Sequence, residues 1–190
     1  MPRNYKFKKE EIINSCLDIV RKSGFSSLTA RSIGEKIGAS SKPVFSLFNS
    51  MSELKNEVLT ATDRIYKAYL NREIKENKYP AYKASGMGYI RFAREEKELF
   101  KLLFMRDRSN ESIGENRDEI RPILNVIQSN LNISEDEAYF FHLKMWICVH
   151  GIATMIATSF LEWDEELVSQ MLTDYYSGLK NSLTTQNRGD

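Results

Sequence analysis

The chain has 190 residues, 42% of them hydrophobic and 28% charged, with a formal net charge of +1, the balance of an ordinary globular protein with material for one ample core or for a small domain fused to a larger one. That net charge hides an asymmetry, ten Lys and Arg against six Asp and Glu through Thr60 and seventeen against twenty from Ala61 onward, which suits either a plain solvated face or a nucleic-acid-binding head on a body with a different role. The most apolar segment, Met145 to Leu161, is crossed by His150, Thr154, Thr158 and Ser159, and the basic amino terminus has no apolar core segment; a membrane span and a secretion signal are therefore not expected, and a cytoplasmic location is.

Apolar residues recur at spacings of three and four and no strand-like alternation is sustained, so the expected fold is all-α. A first helix, about Lys8 to Ser23, carries Ile12, Ile13, Cys16, Leu17, Ile19 and Val20 inward and stops at Gly24, after which Phe25 and Leu28 enter the core. Thr29 is the N-cap of a second helix that runs through Ile33 and Ile37 to Gly38. Residues Ala39 to Ser41 make a tight turn. Pro43 then dictates a helix start, because proline is tolerated only in a first turn, with Ser40 or Ser41 as the cap. In this short helix Val44, Leu47 and Phe48 are expected inside, with Ser41, Lys42, Phe45, Ser46 and Asn49 nearer water.

A rod-like helix from Ser50 or Ser52 to about Lys78 follows, with Leu54, Val58, Leu59, Ala61, Ile65, Ala68, Tyr69 and Ile74 along one side, and Pro80 ends it. Helices are expected over about Tyr82 to Glu95, Glu98 to Met105 and Arg117 to Leu131, with a mobile polar loop from Arg106 to Asn116. Ser134 and Glu137 form a capping-box start for a long helix to about Leu161. Glu162 to Asp164 turns the chain, a last helix spans Glu165 to Leu183, and Thr184 to Asp190 is expected to fray. Cys16 and Cys148 sit in apolar periodic runs and read as core residues, not as a disulfide, metal pair or nucleophile.

A helix, a tight turn and a short helix behind a first helix is the arrangement that places a recognition helix in the DNA major groove. Ser40, Ser41 and Lys42 open that helix, where free N–H groups favour phosphate and side chains reach base edges. Thr29, Arg31, Ile33, Gly38, Ser40, Phe45, Phe48, Glu53 and Leu54 stand in register with a known pattern: the segment Thr29 to Leu54 resembles the amino-terminal signature of TetR/AcrR-type transcriptional regulators. The resemblance implies an amino-terminal three-helix helix-turn-helix DNA-binding domain, residues 1–50, followed by a helical ligand-binding and dimerisation domain, residues 51–190. It implies base or groove contacts from Ser41, Lys42 and Ser46 and phosphate contacts from Thr29, Arg31, Asn49 and Lys55. Thr29 also caps its helix, and Arg31 has the alternative of pairing with Glu35 one turn on. Phe45 and Phe48 are read as core. The chain departs from the pattern at Phe45, where the family often has tyrosine, at Leu47, often a histidine or aromatic, and at Met51, often a lysine; Lys55 is the substitute cation.

The Ser134 to Leu161 helix is apolar on nearly every side from Phe140 onward, and a helix of that kind needs burial all round. With Leu167, Val168, Met171, Leu172, Tyr175, Tyr176 and Leu179 on the last helix, it suits a four-helix interface between two copies, a homodimer whose heads read two half-sites. The run Trp146 to Gly151, with His150, resembles a tryptophan-histidine-glycine signature of one TetR-like subgroup. Tyr66, Tyr89, Phe92, Phe104, Met105, Phe141, Met145 and Trp146 are candidates to line an apolar cavity, and His150 is either a hydrogen-bonded core residue or a ligand contact.

Catalysis has little to work with, since His142 and His150 are the only histidines and there is no Glu-x-x-His, Cys/His cluster, glycine-rich phosphate loop or nucleophile elbow. No catalytic residue, metal or cofactor is expected. A helical protein-interaction adaptor would leave the Thr29 to Leu54 pattern unexplained. The expected function is a ligand-responsive regulator, a repressor that binds a palindromic operator as a dimer and is released by a small apolar or amphipathic molecule.

Overall fold

A computed structural model describes residues 7–107, 117–160, 162 and 164–186. Among them every regular element is helical: α1 (Lys9–Ser23), a short 3₁₀ turn (Phe25–Ser27), α2 (Ala30–Ile37), α3 (Lys42–Leu47), α4 (Met51–Glu76), α5 (Ala81–Glu95), α6 (Lys97–Phe104), α7 (Arg117–Leu131), α8 (Glu135–Ala157) and α9 (Glu165–Gln186). The chain divides into two compact units, Met1–Ala68 with Glu95–Arg106, and Tyr69–Arg94 with Asp107–Asp190.

The first unit is built around α1. Ile12, Cys16 and Val20 are fully buried along it, as are Leu28, Ile33, Val44 and Phe48 in the following elements and Leu54 and Val58 on α4. Segment Glu95–Arg106 joins this unit through α6, whose Leu99 and Phe100 are buried. Arg21 of α1 clamps Glu96, just before α6, with two hydrogen bonds of 2.8 Å, Nε to Oε2 and Nη2 to Oε1. A planar fork on a carboxylate fixes direction as well as distance, so α6 is held in register on α1. Burial pushes the Cys16 thiol up to about 12, which leaves it the inert core residue its pattern suggests.

The second unit packs the end of α4, α5, α7, α8 and α9. Phe141, Met145, Ile127 and Ala138 form one buried cluster, with Tyr82, Tyr176 and Leu179 against it. The capping box at α8 is formed as the sequence predicts: Ser134 Oγ accepts from Glu137 N–H and Glu137 Oε2 accepts from Ser134 N–H at 2.8 Å.

Several expectations are corrected. Phe45 is 48% exposed, in keeping with its position on α3 and against its reading as core beside Phe48, because α3 has only six residues and anchors itself with Val44 and Phe48; Leu47, expected inside, is half-buried. Phe25 is half-buried in a 3₁₀ turn that spacing did not indicate, as are Ile13 and Ile19 on α1. On α4, Ile74 is 41% exposed and Ala68 is exposed, while the residues fully covered beyond Val58 are Thr62 and Glu73. Cys148 is half-buried. Helix α8 ends at Ala157, where Thr158 turns back its hydroxyl onto the Thr154 carbonyl at 2.8 Å, and α9 runs on through Gln186, past the expected end at Leu183. By length and composition α8 is apolar enough to cross a membrane, against the sequence reading, yet nearly half of its most apolar stretch is buried inside the unit. The loop expected to be mobile lies, from residue 108 to 116, outside the described residues.

Candidate functional site

In the first unit the local chemistry of α2, the turn and α3 builds one face. Thr29 Oγ1 accepts from Ser32 N–H at 3.1 Å while Ser32 Oγ accepts from Thr29 N–H at 3.0 Å, a reciprocal cap with serine where a glutamate is usual. Helix α2 closes at Gly38, whose φ of 64° is the left-handed conformation glycine adopts without penalty. Immediately before, Gly34 allows the chain to fold back: a Cβ there would stand 2.8 Å from the Ala39 carbonyl oxygen. The Ala39 N–H donates to the Gly34 carbonyl at 2.9 Å across the same gap. Between α2 and the start of α3 lies an open hollow of about 730 Å³ lined by Ala30, Arg31, Gly34, Glu35, Gly38, Ala39, Ser40 and Ser41.

The far end of α3 is fixed by Glu53. Its Oε2 accepts from both the Asn49 backbone N–H and Asn49 Nδ2 at 2.7 Å, and these bonds hold the carboxyl below its usual range. Glu53 N–H in turn donates to Ser50 Oγ at 3.1 Å, and Leu54 beside it is fully buried. The acidic-Leu pair therefore acts locally, tying Asn49 after α3 to the first turn of α4.

The predicted DNA contacts fall into three groups. Arg31, Ser40 and Ser41 share the hollow; Lys42 and Ser46 lie exposed on α3 and Asn49 just beyond it; Thr29 is exposed at the start of α2 and Lys55 sits half-buried on α4, its ammonium 5.4 Å from the Phe25 ring centre. Arg31 Nε donates to Glu35 at 2.9 Å, but both side chains are largely in water, where such a pair is worth too little to hold the guanidinium against a phosphate. Lys42 has no ion-pair partner among the described residues.

The residues proposed for a cavity divide between the units. Tyr66, Phe104 and Met105 belong to the first, where Tyr66 meets Phe104 edge-on at 5.2 Å and Met105 is 42% exposed. Tyr89, Phe92, Phe141, Met145, Trp146 and His150 belong to the second. There, Tyr89 and His150 share a hydrogen bond of 2.8 Å between hydroxyl and Nδ1, and the Trp146 ring stacks on His150 with centres 5.0 Å apart and planes 15° from parallel. Burial lowers the His150 pKa, so the ring is neutral near pH 7. Phe141 faces Tyr176 in the neighbouring cluster instead. Among the described residues no three His, Cys, Asp or Glu side chains are grouped to hold a metal.

The second unit also holds a charged chain that sequence reading missed. Glu73 is 1% exposed, its Oε1 stands 2.5 Å from Arg91 Nε in a geometry too askew for a directed hydrogen bond, and Arg91 Nη2 reaches Glu165 Oε2 at 3.1 Å. Glu165 accepts in turn from Lys78 Nζ at 2.6 Å and Tyr79 Oη at 3.1 Å.

Residues 82–175 match the family model described as the tetracyclin repressor-like C-terminal domain. The chain belongs to the TetR family of transcriptional regulators. Its fold agrees with that of a TetR-family protein of Vibrio parahaemolyticus described as a candidate transcriptional regulator, at 12% identity and a TM-score of 0.63 over 90% of this chain and 98% of that one. A candidate transcriptional regulator of Pseudomonas aeruginosa PAO1 gives a TM-score of 0.68 at 15% identity over 95% of both chains. No curated protein matches by sequence. As a TetR-family member it is a DNA-binding transcriptional regulator, with the helix-turn-helix formed by α2 and α3. Matched segment 82–175 includes Tyr89, Trp146, His150 and Gly151, so the Tyr89–His150–Trp146 group lies within the tetracyclin repressor-like C-terminal domain.

Proposed function

We propose that this TetR-family protein is a repressor, located in the cytoplasm and without enzymatic activity, that binds a palindromic operator as a homodimer and is released by a small apolar or amphipathic effector. The observation that carries the proposal is the pairing of an exposed reading face on α3 with an unsatisfied apolar face on α8 and α9. Phe140 and Ile147 on α8 are 60% and 59% exposed, Leu167 and Tyr175 on α9 are 46% and 39% exposed, and Phe160 beyond α8 is 75% exposed. Large apolar side chains left exposed on two packed helices favour cover by a second copy of the chain. Gly151 and Gly178 lie on the same two helices with open space where a Cβ would be, which leaves room for a partner helix to approach.

Under this reading residues 1–50 read DNA and residues 51–190 hold effector and partner. Ser40, Ser41, Lys42 and Ser46 face bases, and Thr29, Arg31, Asn49 and Lys55 face phosphate. Tyr89, Phe92, Met145, Trp146 and His150, with Phe141, Tyr66, Phe104 and Met105 as further members of the predicted set, are the effector candidates. Helix α4 is shared by the two units along its length. Effector that binds better to a conformation with the heads out of half-site spacing shifts the population from the DNA-bound form, so effector and operator weaken each other equally.

Binding of the purified protein to DNA selected from its own genome, followed by fluorescence anisotropy over a salt series, tests the regulator reading. Affinity should fall steeply with salt, and Lys42→Ala should lose about ten-fold or more at the selected site while weakening other sequences less. Indifference to sequence and to Lys42 would favour a helical adaptor. The dimer is tested separately by Ile147→Glu, which alters an exposed residue and so leaves the protomer folded. Sedimentation should show a monomer in place of a dimer, and operator affinity should drop because only one half-site is held at a time. A variant that sediments as the wild type does would place the interface elsewhere.

A further inference from the structure

Lys42, Phe45 and Ser46 share one side of α3 by their three- and four-residue spacing, and Asn49 follows just beyond the extended Phe48 that ends the helix. Two of the polar members are already engaged. Ser46 Oγ donates to the Pro43 carbonyl at 2.7 Å, and Asn49 Nδ2 donates to Glu53 Oε2 at 2.7 Å. Phe45 is different: it is 48% exposed beside a Phe48 that is 1% exposed, and among the described residues it has no ring or cation partner. The largest side chain on the reading face is therefore apolar and uncovered, in a helix too short to use it for packing.

Resting on the DNA-binding reading above, we propose that Phe45 sets operator specificity by covering the C5-methyl of a thymine in the major groove. Base-pair edges in that groove present hydrogen-bond donors and acceptors, and the thymine methyl is the apolar group among them. A phenyl ring pressed onto a G·C edge would strip water from donors and acceptors without replacing their bonds, whereas on thymine it buries methyl against ring. Each half-site consequently carries a thymine opposite the middle of α3, and Lys42 at the helix start reads a neighbouring base.

The test starts from a duplex selected by the wild-type protein out of a random pool. Each thymine is then replaced singly by deoxyuridine, which keeps every hydrogen-bonding group and removes only the methyl. At one position in each half-site, binding should weaken by about four-fold, the effect of one buried methyl. Phe45→Ala should keep the wild-type circular dichroism and melting, bind the parent duplex more weakly, and show no further loss on deoxyuridine replacement at that position. A 5-methylcytosine placed there instead of thymine should recover part of the affinity lost with cytosine in the wild type only. If the wild type selects a sequence but no thymine responds, or if the deoxyuridine penalty is as large in Phe45→Ala, the assignment of Phe45 is overturned while the DNA-binding reading stands. If the wild type selects no sequence at all, both are overturned.

Discussion

Arg91→Ala should be strongly damaging in the second unit although the arginine is partly exposed, lowering stability to urea by about 3 kcal/mol, because it leaves the Glu73 carboxylate buried without its counter-charge. The asymmetry of the pair sets the magnitude. Glu73 is 1% exposed and both of its oxygens lack a directed hydrogen bond, whereas the Arg91 side chain is 29% exposed and also reaches Glu165. Removing the arginine strands a charge that water cannot reach; removing the glutamate frees an arginine that water and Glu165 can still serve. Glu73→Gln should therefore cost clearly less than Arg91→Ala. The double variant Glu73→Leu with Arg91→Met should lie near the wild type, since an apolar pair of similar size avoids the desolvation of both ions. Urea midpoints of the four proteins at one pH decide the matter. If Arg91→Ala unfolds within about 0.5 kcal/mol of the wild type, in the range of ordinary surface substitutions, Glu73 is not the stranded charge described here.

How much of this was legible in the sequence depends on how local the cause is. The Ser134–Glu137 cap, the Thr29 cap and the Gly38 stop are decided by side chains reaching backbone within one turn, and each appears as predicted. So does the helix-turn-helix, because Pro43 and the turn before it are local statements too. Phe45 is legible by position and not by type: spacing on α3 puts it nearer water while its aromatic character argues for core, and so short a helix has only one buried side, which Val44 and Phe48 fill. Glu73 was passed over because residue type alone says that a glutamate on a rod helix is solvated; only the arrival of Arg91 on another helix makes its burial possible. The predicted cavity set is divided between the two units, a division that the sequence pattern does not reveal. Aromatic type and helical spacing do not say that Tyr66 pairs with Phe104 in one unit while Tyr89 pairs with His150 in the other.

Gly34→Ala should abolish operator binding, and it separates two opposed effects of one methyl group. On propensity alone the exchange favours the protein, because alanine is better than glycine inside a helix by about 1 kcal/mol. The surroundings of Gly34 reverse that. The new Cβ would lie 2.8 Å from the Ala39 carbonyl oxygen and 3.3 Å from the Ser40 carbonyl carbon, which are backbone atoms with no rotamer to escape into. The turn must move, and the Ala39 N–H to Gly34 carbonyl bond of 2.9 Å moves with it. Forced overpacking of this kind costs about 1–3 kcal/mol, so the net effect on stability is a modest loss. Function is more sensitive than stability here, since Ser40, Ser41 and Lys42 ride on the displaced turn and a contact to a base edge tolerates a shift of only a few tenths of an ångström before its hydrogen bond is lost. A Gly34→Ala protein that melts higher than the wild type and still selects the same operator would show that the turn has slack, and that the angle between α2 and α3 is set by the buried Ile33, Val44 and Phe48 alone.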